Sequence, residues 1–441
     1  MWRHGDESPT RVLAPRETGA VQSPIRSLPT APSRPAMPRI APLRRVLALA
    51  ALVLCCAPAA AQRPTDTTPT VPDTAQGGIP VLAWHRFTDR PLEEELGSLT
   101  EPFVRFEEML RFLEREGFRS VFPEQARTDG GRQVVLTFDD GPEESMRAAE
   151  LLERHGFRGI FFVIPARTRA DAEHTLTPDD VRRLARAGHR VAVHGYEHRS
   201  MASSREEVAA VVARSRRELG DSIATPLDFA FPFGHYTPEV ARRVGRSFRY
   251  LHTVNPGYWD GRSALLPRML VMGGVDPALY REYMLGGARY RPRLEPLTPD
   301  GAVTERVAFR LRGGPLPAGV ELFSVSADAE GRSYVSHPLG TGLEVRGDTV
   351  WVDLAAHMRR FYAPERSAIG YALVTREAGQ LSYLSPGIQH WIRDPAAGSW
   401  LPGWAADGPL GWVLRTAALA LLAGVLLLAV RAFARRRPPA G

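Results

Sequence analysis

Between residues 79 and about 275, short apolar runs alternate with stretches of helical period. Runs rich in β-branched and aromatic residues at 79–84, 134–138, 159–164, 190–194, 227–231 and 248–253 predict strands. Amphipathic stretches at 103–116, 143–155, 178–187, 204–219 and 238–244 predict the helices between them. Gly117, Gly156 and Gly188 follow three of those stretches, where a left-handed residue commonly ends a helix. The alternation predicts an α/β architecture of β/α units around a parallel sheet or barrel. From about 295 to 394 the helical period fades. Strand-like segments at 307–311, 320–326, 333–337, 343–346, 349–354, 369–375 and 381–383, separated by Gly, Pro and Asp turns, predict a small β-sandwich-like domain.

Two further apolar runs lie nearer the chain ends. Arg39, Arg44 and Arg45 lead into the apolar residues 46–56 and then Ala57-Pro58-Ala59-Ala60-Ala61, the order of a secretory signal peptide over 37–61 with cleavage after Ala61. Residues 1–36, rich in Pro and Arg, are either a disordered extension or precede the true start at Met37. The second run, 416–430, would rise only about 22 Å as a helix against a bilayer core of about 30 Å. Extending it to 412–433, with Arg415 and Arg431 snorkelling, restores a spanning length. Arg435, Arg436 and Arg437 then place the tail 434–441 in the cytoplasm. The expectation is an extracytoplasmic protein, periplasmic or at the cell surface, anchored by that transmembrane helix; a sorting signal removed after export is the alternative. Residues 62–78 and 395–411 read as linkers.

Charge follows the same division. The net charge of +7 suggests nucleic-acid binding until it is mapped. Residues 1–45 hold eight Arg against three acids, and 415–441 hold five Arg and no acid. The 46–414 portion carries 43 Arg and 46 acids, so it offers no basic surplus to a phosphate backbone and no nucleic-acid partner is expected. The two cysteines, Cys55 and Cys56, fall inside the signal, which excludes disulfides and cysteine-ligated zinc from the exported form.

The chemistry concentrates in the first domain. The strand 134–138 ends in Asp139 and Asp140, two adjacent carboxylates that cannot both be buried without a cation, a shared proton or solvent. Alone, such a pair is as often a turn or helix cap. The strand at 190–193 is followed by His194-Gly195-Tyr196-Glu197-His198, and imidazoles at that spacing can share a face with a carboxylate ligand while leaving positions open.

With these residues in place, the chain resembles polysaccharide deacetylases with a NodB-type domain, among the family-four carbohydrate esterases. Thr137-Phe138-Asp139-Asp140-Gly141 and His194-Gly195-Tyr196-Glu197-His198 match the first two motifs of that family, and Phe231-Pro232-Phe233-Gly234 is similar to the third. Pro80–Phe87 and Leu266-Pro267-Arg268 are similar to the opening and closing segments of the exopolysaccharide, or poly-N-acetylglucosamine, subgroup. The resemblance covers about 200 residues and implies a distorted (β/α)7 barrel over 79–290, ahead of the β-sandwich-like domain at 295–394. It implies a divalent metal, usually zinc, on Asp140, His194 and His198, with Asp139 as general base. A backbone N–H near Phe233 or Gly234 would meet the developing oxyanion. The expected substrate is an N-acetylated glycan polymer, an exopolymer before peptidoglycan, with exopolysaccharide secretion proteins as candidate partners.

Two motifs depart from the family pattern. No clear Leu-x-His closes the domain, so His85 is the first choice for the general acid, supplied by circular permutation, with His252 as runner-up. The Arg usual before the third motif is replaced by Phe229-Ala230-Phe231, and Arg268 is predicted instead to pair with Asp139 and hold it ionised. Phe233, Tyr236 and Trp259 are candidate walls of a sugar subsite, with core packing the equal alternative. Two other function classes stay open: a metal-containing glycan-binding protein without catalysis, and a glycosidase using a carboxylate pair.

Overall fold

The computed structural model describes residues 77–90, 99–127, 132–171, 173–202, 208–219, 227–328, 331–362 and 368–395. The expected signal peptide, N-terminal extension, 412–433 anchor and tail fall outside these residues, as do most of both expected linkers. No helix among the described residues is long and apolar enough to cross a membrane.

The first half is a curled parallel sheet with flanking helices. The six strands predicted appear as Val81–Trp84, Gln133–Phe138, Ile160–Val163, Arg190–Val193, Asp228–Ala230 and Tyr250–His252, paired in parallel along the path Tyr250–His252, Asp228–Ala230, Arg190–Val193, Ile160–Val163, Gln133–Phe138, Val81–Trp84. Two short strands not predicted complete the path. Leu265–Leu266 pairs with Tyr250–His252 at one edge, and Met269–Leu270 pairs with Val81–Trp84 at the other. Only Pro267 and Arg268 separate them in the chain, so the sheet curls until its opposite edges almost meet.

Strand periodicity sorts the side chains into two clusters. Val81, Val135, Ile160, Phe162, Ala192 and Ala230 form one, and Leu82, Leu136, Phe138, Phe161, Val163 and Val193 join the larger cluster with helix residues such as Phe106, Leu110, Leu152 and Leu184. Strands buried on both faces read as continuous apolar runs, which is why they were legible. The helices Phe103–Arg115, Ser145–Arg154, Pro178–Arg186, Val208–Leu219 and Pro238–Val244 fall where expected. Pro178–Arg186 starts at a capping box, with Thr177 and Asp180 each accepting the other's backbone N–H. A helix at Pro277–Gly286 was not predicted, although Asp276 caps it and Pro277 occupies its first turn.

The second half holds two antiparallel sheets. One runs in the order Leu294–Pro296, Arg306–Leu311, Thr349–Asp353, Leu343–Arg346; the other runs Gly331–Pro338, Glu321–Asp328, Ala368–Glu377, Gln380–Tyr383, with Ile388–Trp391 also pairing with Ala368–Glu377. Val307, Phe309, Val350 and Val352 of the first sheet share a core with Leu322, Tyr371, Leu373 and Ile388 of the second. The opposite parity of the second sheet, Phe323, Ala372, Val374 and Tyr383, belongs to the large cluster of the first half. The five-stranded sheet is thus buried on both sides and does not form a self-contained lobe. The helix Leu354–Phe361, started by an Asp353 side chain accepting the Ala356 N–H, also departs from the all-β expectation there.

Candidate metal centre

The parallel register brings the C-terminal ends of neighbouring strands to one end of the sheet, with Trp84 opposite Phe138, Phe138 opposite Phe161, and Val163 opposite Val193. His85, Asp139, Asp140 and His194 each follow one of these ends. Ligating atoms of Asp140, His194 and His198 lie within 4.8 Å of one another. The His198 Nε2 is 3.2 Å, and the His194 Nε2 3.5 Å, from Asp140 Oδ1.

A cation fits this set on three counts. The Asp140 Oδ1 is buried and has no hydrogen-bond partner among the described residues. The His194 Nδ1 lies 2.9 Å from the Ala230 carbonyl, which can only accept; Nδ1 therefore carries the proton and Nε2 turns its lone pair to the site. Burial, then His194, pulls His198 down to about 4, keeping its imidazole neutral and able to ligate. The backbone also bends to the purpose: Asp140 (φ 70°), His198 (φ 60°) and the nearby Phe233 (φ 60°) all occupy the left-handed region, which costs a non-glycine residue about 1–3 kcal/mol. Strain of this kind persists where surrounding contacts over-determine it.

Asp139 is 1% exposed and points to different partners. Arg268, itself fully buried, donates Nη1 to Oδ1 at 2.7 Å and Nη2 to Oδ2 at 2.8 Å, a bidentate pairing. The guanidinium is fixed in turn: Nε donates to the Thr253 carbonyl at 2.6 Å and Nη1 to Thr137 Oγ1 at 3.1 Å. Burial alone would raise the Asp139 carboxyl, but the attraction of Arg268, then of His194, holds it well below the usual carboxylate range. Asp139 therefore remains an ionised acceptor beside the ligand set, 3.9 Å from His194 Nε2.

His85 places Nε2 3.8 Å from Asp139 Oδ2, with its side chain 12% exposed. Burial lowers its pKa, opposed by Asp139 and Asp140. His252, the alternative acid, is corrected by its surroundings. It is fully buried, its Nε2 lies 2.7 Å from Asp228 Oδ1, and Asp228 also accepts from Arg190 at 2.7 Å, so the ring belongs to an internal hydrogen-bonded network.

The aromatic residues separate similarly. Phe233 is 55% exposed, with its ring 4.5 Å from that of His198, so it stands on the rim of the centre. Gly234 follows with φ 69°, and a Cβ there would sit 2.2 Å from a Val254 methyl, so any side chain would have to displace Val254. Tyr236 and Trp259 are not subsite walls: both are buried. The Tyr236 hydroxyl donates to Asp300 Oδ1 at 2.6 Å. Trp259 pairs with Ile79, ahead of the Val81–Trp84 strand and therefore at the end of the sheet opposite the ligand set, and donates to the Ser263 carbonyl. Residue type alone could not distinguish these rings, because burial leaves no mark on it. Reading the sequence also missed the Ala230 and Thr253 carbonyls; main-chain acceptors carry no residue signature.

The sequence profile of the polysaccharide deacetylase family matches residues 126–250, a span that holds both Asp and both His but neither His85 nor Arg268. The peptidoglycan-N-acetylglucosamine deacetylase PgdA of Listeria monocytogenes serotype 1/2a (strain 10403S) is 26% identical over 162 residues, 36% of this chain and 33% of that protein. The match therefore spans about a third of that relative's length. The chitooligosaccharide deacetylase of Rhizobium leguminosarum bv. trifolii is 26% identical over 157 residues, 34% of this chain and 69% of that protein. Among solved structures, the Streptococcus pyogenes deacetylase PplD in complex with acetate is 20% identical, covering 47% of this chain and 98% of that one with a TM-score of 0.42.

Proposed function

The chain carries a domain of the polysaccharide deacetylase family, and on that premise we propose that it hydrolyses N-acetyl groups from an extracytoplasmic polysaccharide containing N-acetylglucosamine, releasing acetate. One observation carries the proposal: a carboxylate kept ionised by a buried arginine, Asp139, stands directly beside a separate cation-ligand set, Asp140, His194 and His198. The names of the two curated relatives, deacetylases of peptidoglycan N-acetylglucosamine and of chitooligosaccharides, support the substrate class.

A divalent cation bound there, for which we propose zinc, would polarise the acetamide carbonyl and acidify an attacking water. Asp139 takes the water proton as the new C–O bond forms. The oxyanion needs a donor, and the Gly234 N–H is already committed to the Phe231 carbonyl at 2.8 Å, which leaves the Phe233 N–H as the donor we assign. His85 protonates the nitrogen as the C–N bond breaks, yielding acetate and a free sugar amine. Phe233 offers an exposed apolar face to a pyranose ring.

We place this chemistry outside the membrane, with the signal at 37–61, a distorted (β/α)7 barrel over 79–290, the β-sandwich-like region over 295–394 and an anchor at 412–433; the basic, apolar and small-residue order at 39–61 supports export. The test is to incubate the zinc-loaded full chain with N-acetylglucosamine oligomers and to measure acetate, free amine and chain length, with a chelated sample alongside. Acetate at constant chain length, lost on chelation, is expected. Shortened chains would identify a glycosidase, and binding without product a lectin-like protein.

His85→Gln tests the acid separately. Turnover is expected to fall about 100-fold, the usual size for loss of a positioned proton donor, with bound metal unchanged because His85 lies outside the ligand set. Undiminished turnover removes His85 from this role.

A further inference from the structure

Two side chains of the five-stranded sheet donate to a main-chain carbonyl beside the site, and we propose that Gln389 and Trp391 are positioning residues that set the 231–236 turn for catalysis. Both belong to the Ile388–Trp391 strand of the five-stranded sheet, more than 140 residues beyond that turn. The Trp391 Nε1 donates to the Tyr236 carbonyl at 2.7 Å, and the Gln389 Nε2 donates to the same oxygen at 3.1 Å. At its other end the Tyr236 side chain donates to Asp300 Oδ1 and accepts from Asn255 Nδ2 at 2.9 Å, while Asp300 Oδ1 also accepts the Gln389 N–H at 2.8 Å. Gln389 thus meets the Tyr236 carbonyl directly and its hydroxyl through Asp300. All three of Tyr236, Gln389 and Trp391 are buried, so water cannot readily replace these bonds.

The clamp connects to the reacting end by packing. The Trp391 ring lies edge-on to His235 at 5.2 Å, His235 is 5.8 Å from Phe233, and Phe233 is 4.5 Å from the cation ligand His198. His235 Nδ1 also lies 3.3 Å from Ser200 Oγ, two residues past His198. Phe233 is held left-handed, a conformation that a non-glycine residue keeps only where neighbours enforce it, and it bears the N–H assigned to the oxyanion. The sheet supplies that enforcement. It is thereby part of the catalytic unit.

The inference rests on the deacetylase reading for its consequence, not for its geometry, and two readouts keep them apart. In the full chain, Trp391→Phe retains a ring against His235 but removes the indole donor; Gln389→Met removes the amide donor. Each is expected to speed hydrogen exchange across 231–237 while protection of the 133–138 and 190–193 strands stays unchanged. Each is also expected to lower kcat about 10-fold or more with KM and metal content nearly constant, since small displacements of reacting groups cost rate steeply. Unchanged exchange and unchanged kcat in both variants overturn the proposal, as does faster exchange with unchanged kcat. If one variant loses protection throughout, the other decides. If the wild-type chain releases no acetate, the deacetylase reading fails while exchange still decides whether the sheet holds the turn.

Discussion

Asp139→Asn is expected to lower acetate release by about 100- to 10,000-fold, the range for loss of a positioned general base, while the cation remains bound. Asparagine preserves the shape but cannot take a proton, and Asp139 is not among the three clustered ligands. The change also leaves Arg268 as a fully buried cation without its counter-ion, and breaking a buried pair in this way costs about 3–5 kcal/mol. Lost activity and lost fold would then coincide, and the double substitution Asp139→Asn with Arg268→Met separates the two. It removes both charges, and its thermal midpoint is expected to recover toward the wild type while activity stays absent. Metal content and kcat measured on the single and double variants check this. An Asp139→Asn protein retaining a tenth or more of wild-type kcat would transfer the base role to another group.

How much of this was legible beforehand depended on what each feature leaves in the sequence. The core strands announced themselves because both faces are buried, as with Val134-Val135-Leu136. Asp139, Asp140, His194 and His198 could be named because the carboxylate pair and the histidine pair each come after such a strand, and together they form a ligand set that neither pair suggests alone. Leu265–Leu266 and Met269–Leu270 are too short to show any period, and only closure of the curled sheet makes them strands. The pairing of Arg268 with Asp139 across 129 residues came from motif resemblance, since no local pattern encodes it. The continuous run at 369–374 carries a further signal, since alternation is lost there where the sheet packs on both faces. Trp391 was invisible for a different reason, since its partner is a main-chain carbonyl.

Arg268→Met is expected to reveal the other half of the Asp139 arrangement through pH. In the wild type the Asp139 carboxyl titrates well below its unfolded value of about 3.9, so the pair stabilises the fold above that pH and its contribution is lost on further acidification. Without Arg268 the same carboxylate is buried with only imidazole neighbours, and burial, the largest influence on it, pushes its pKa above the unfolded value. The sign of the linkage then reverses. The charged form becomes a penalty at neutral pH, about 3–5 kcal/mol for a buried charge stripped of its partner, and the penalty shrinks as pH falls and the group protonates. Thermal midpoints of the metal-free proteins at pH 7 and pH 5 are therefore expected to differ widely at the higher pH and less at the lower. The activity of the metal-loaded variant should show the same shift, with the acid limb of its kcat/KM profile displaced upward because the base is ionised over a narrower range. A variant whose midpoint gap is independent of pH, and whose profile superimposes on the wild type, would mean that Arg268 merely fills space between the two edges of the sheet and that something other than its charge keeps Asp139 ready to accept a proton.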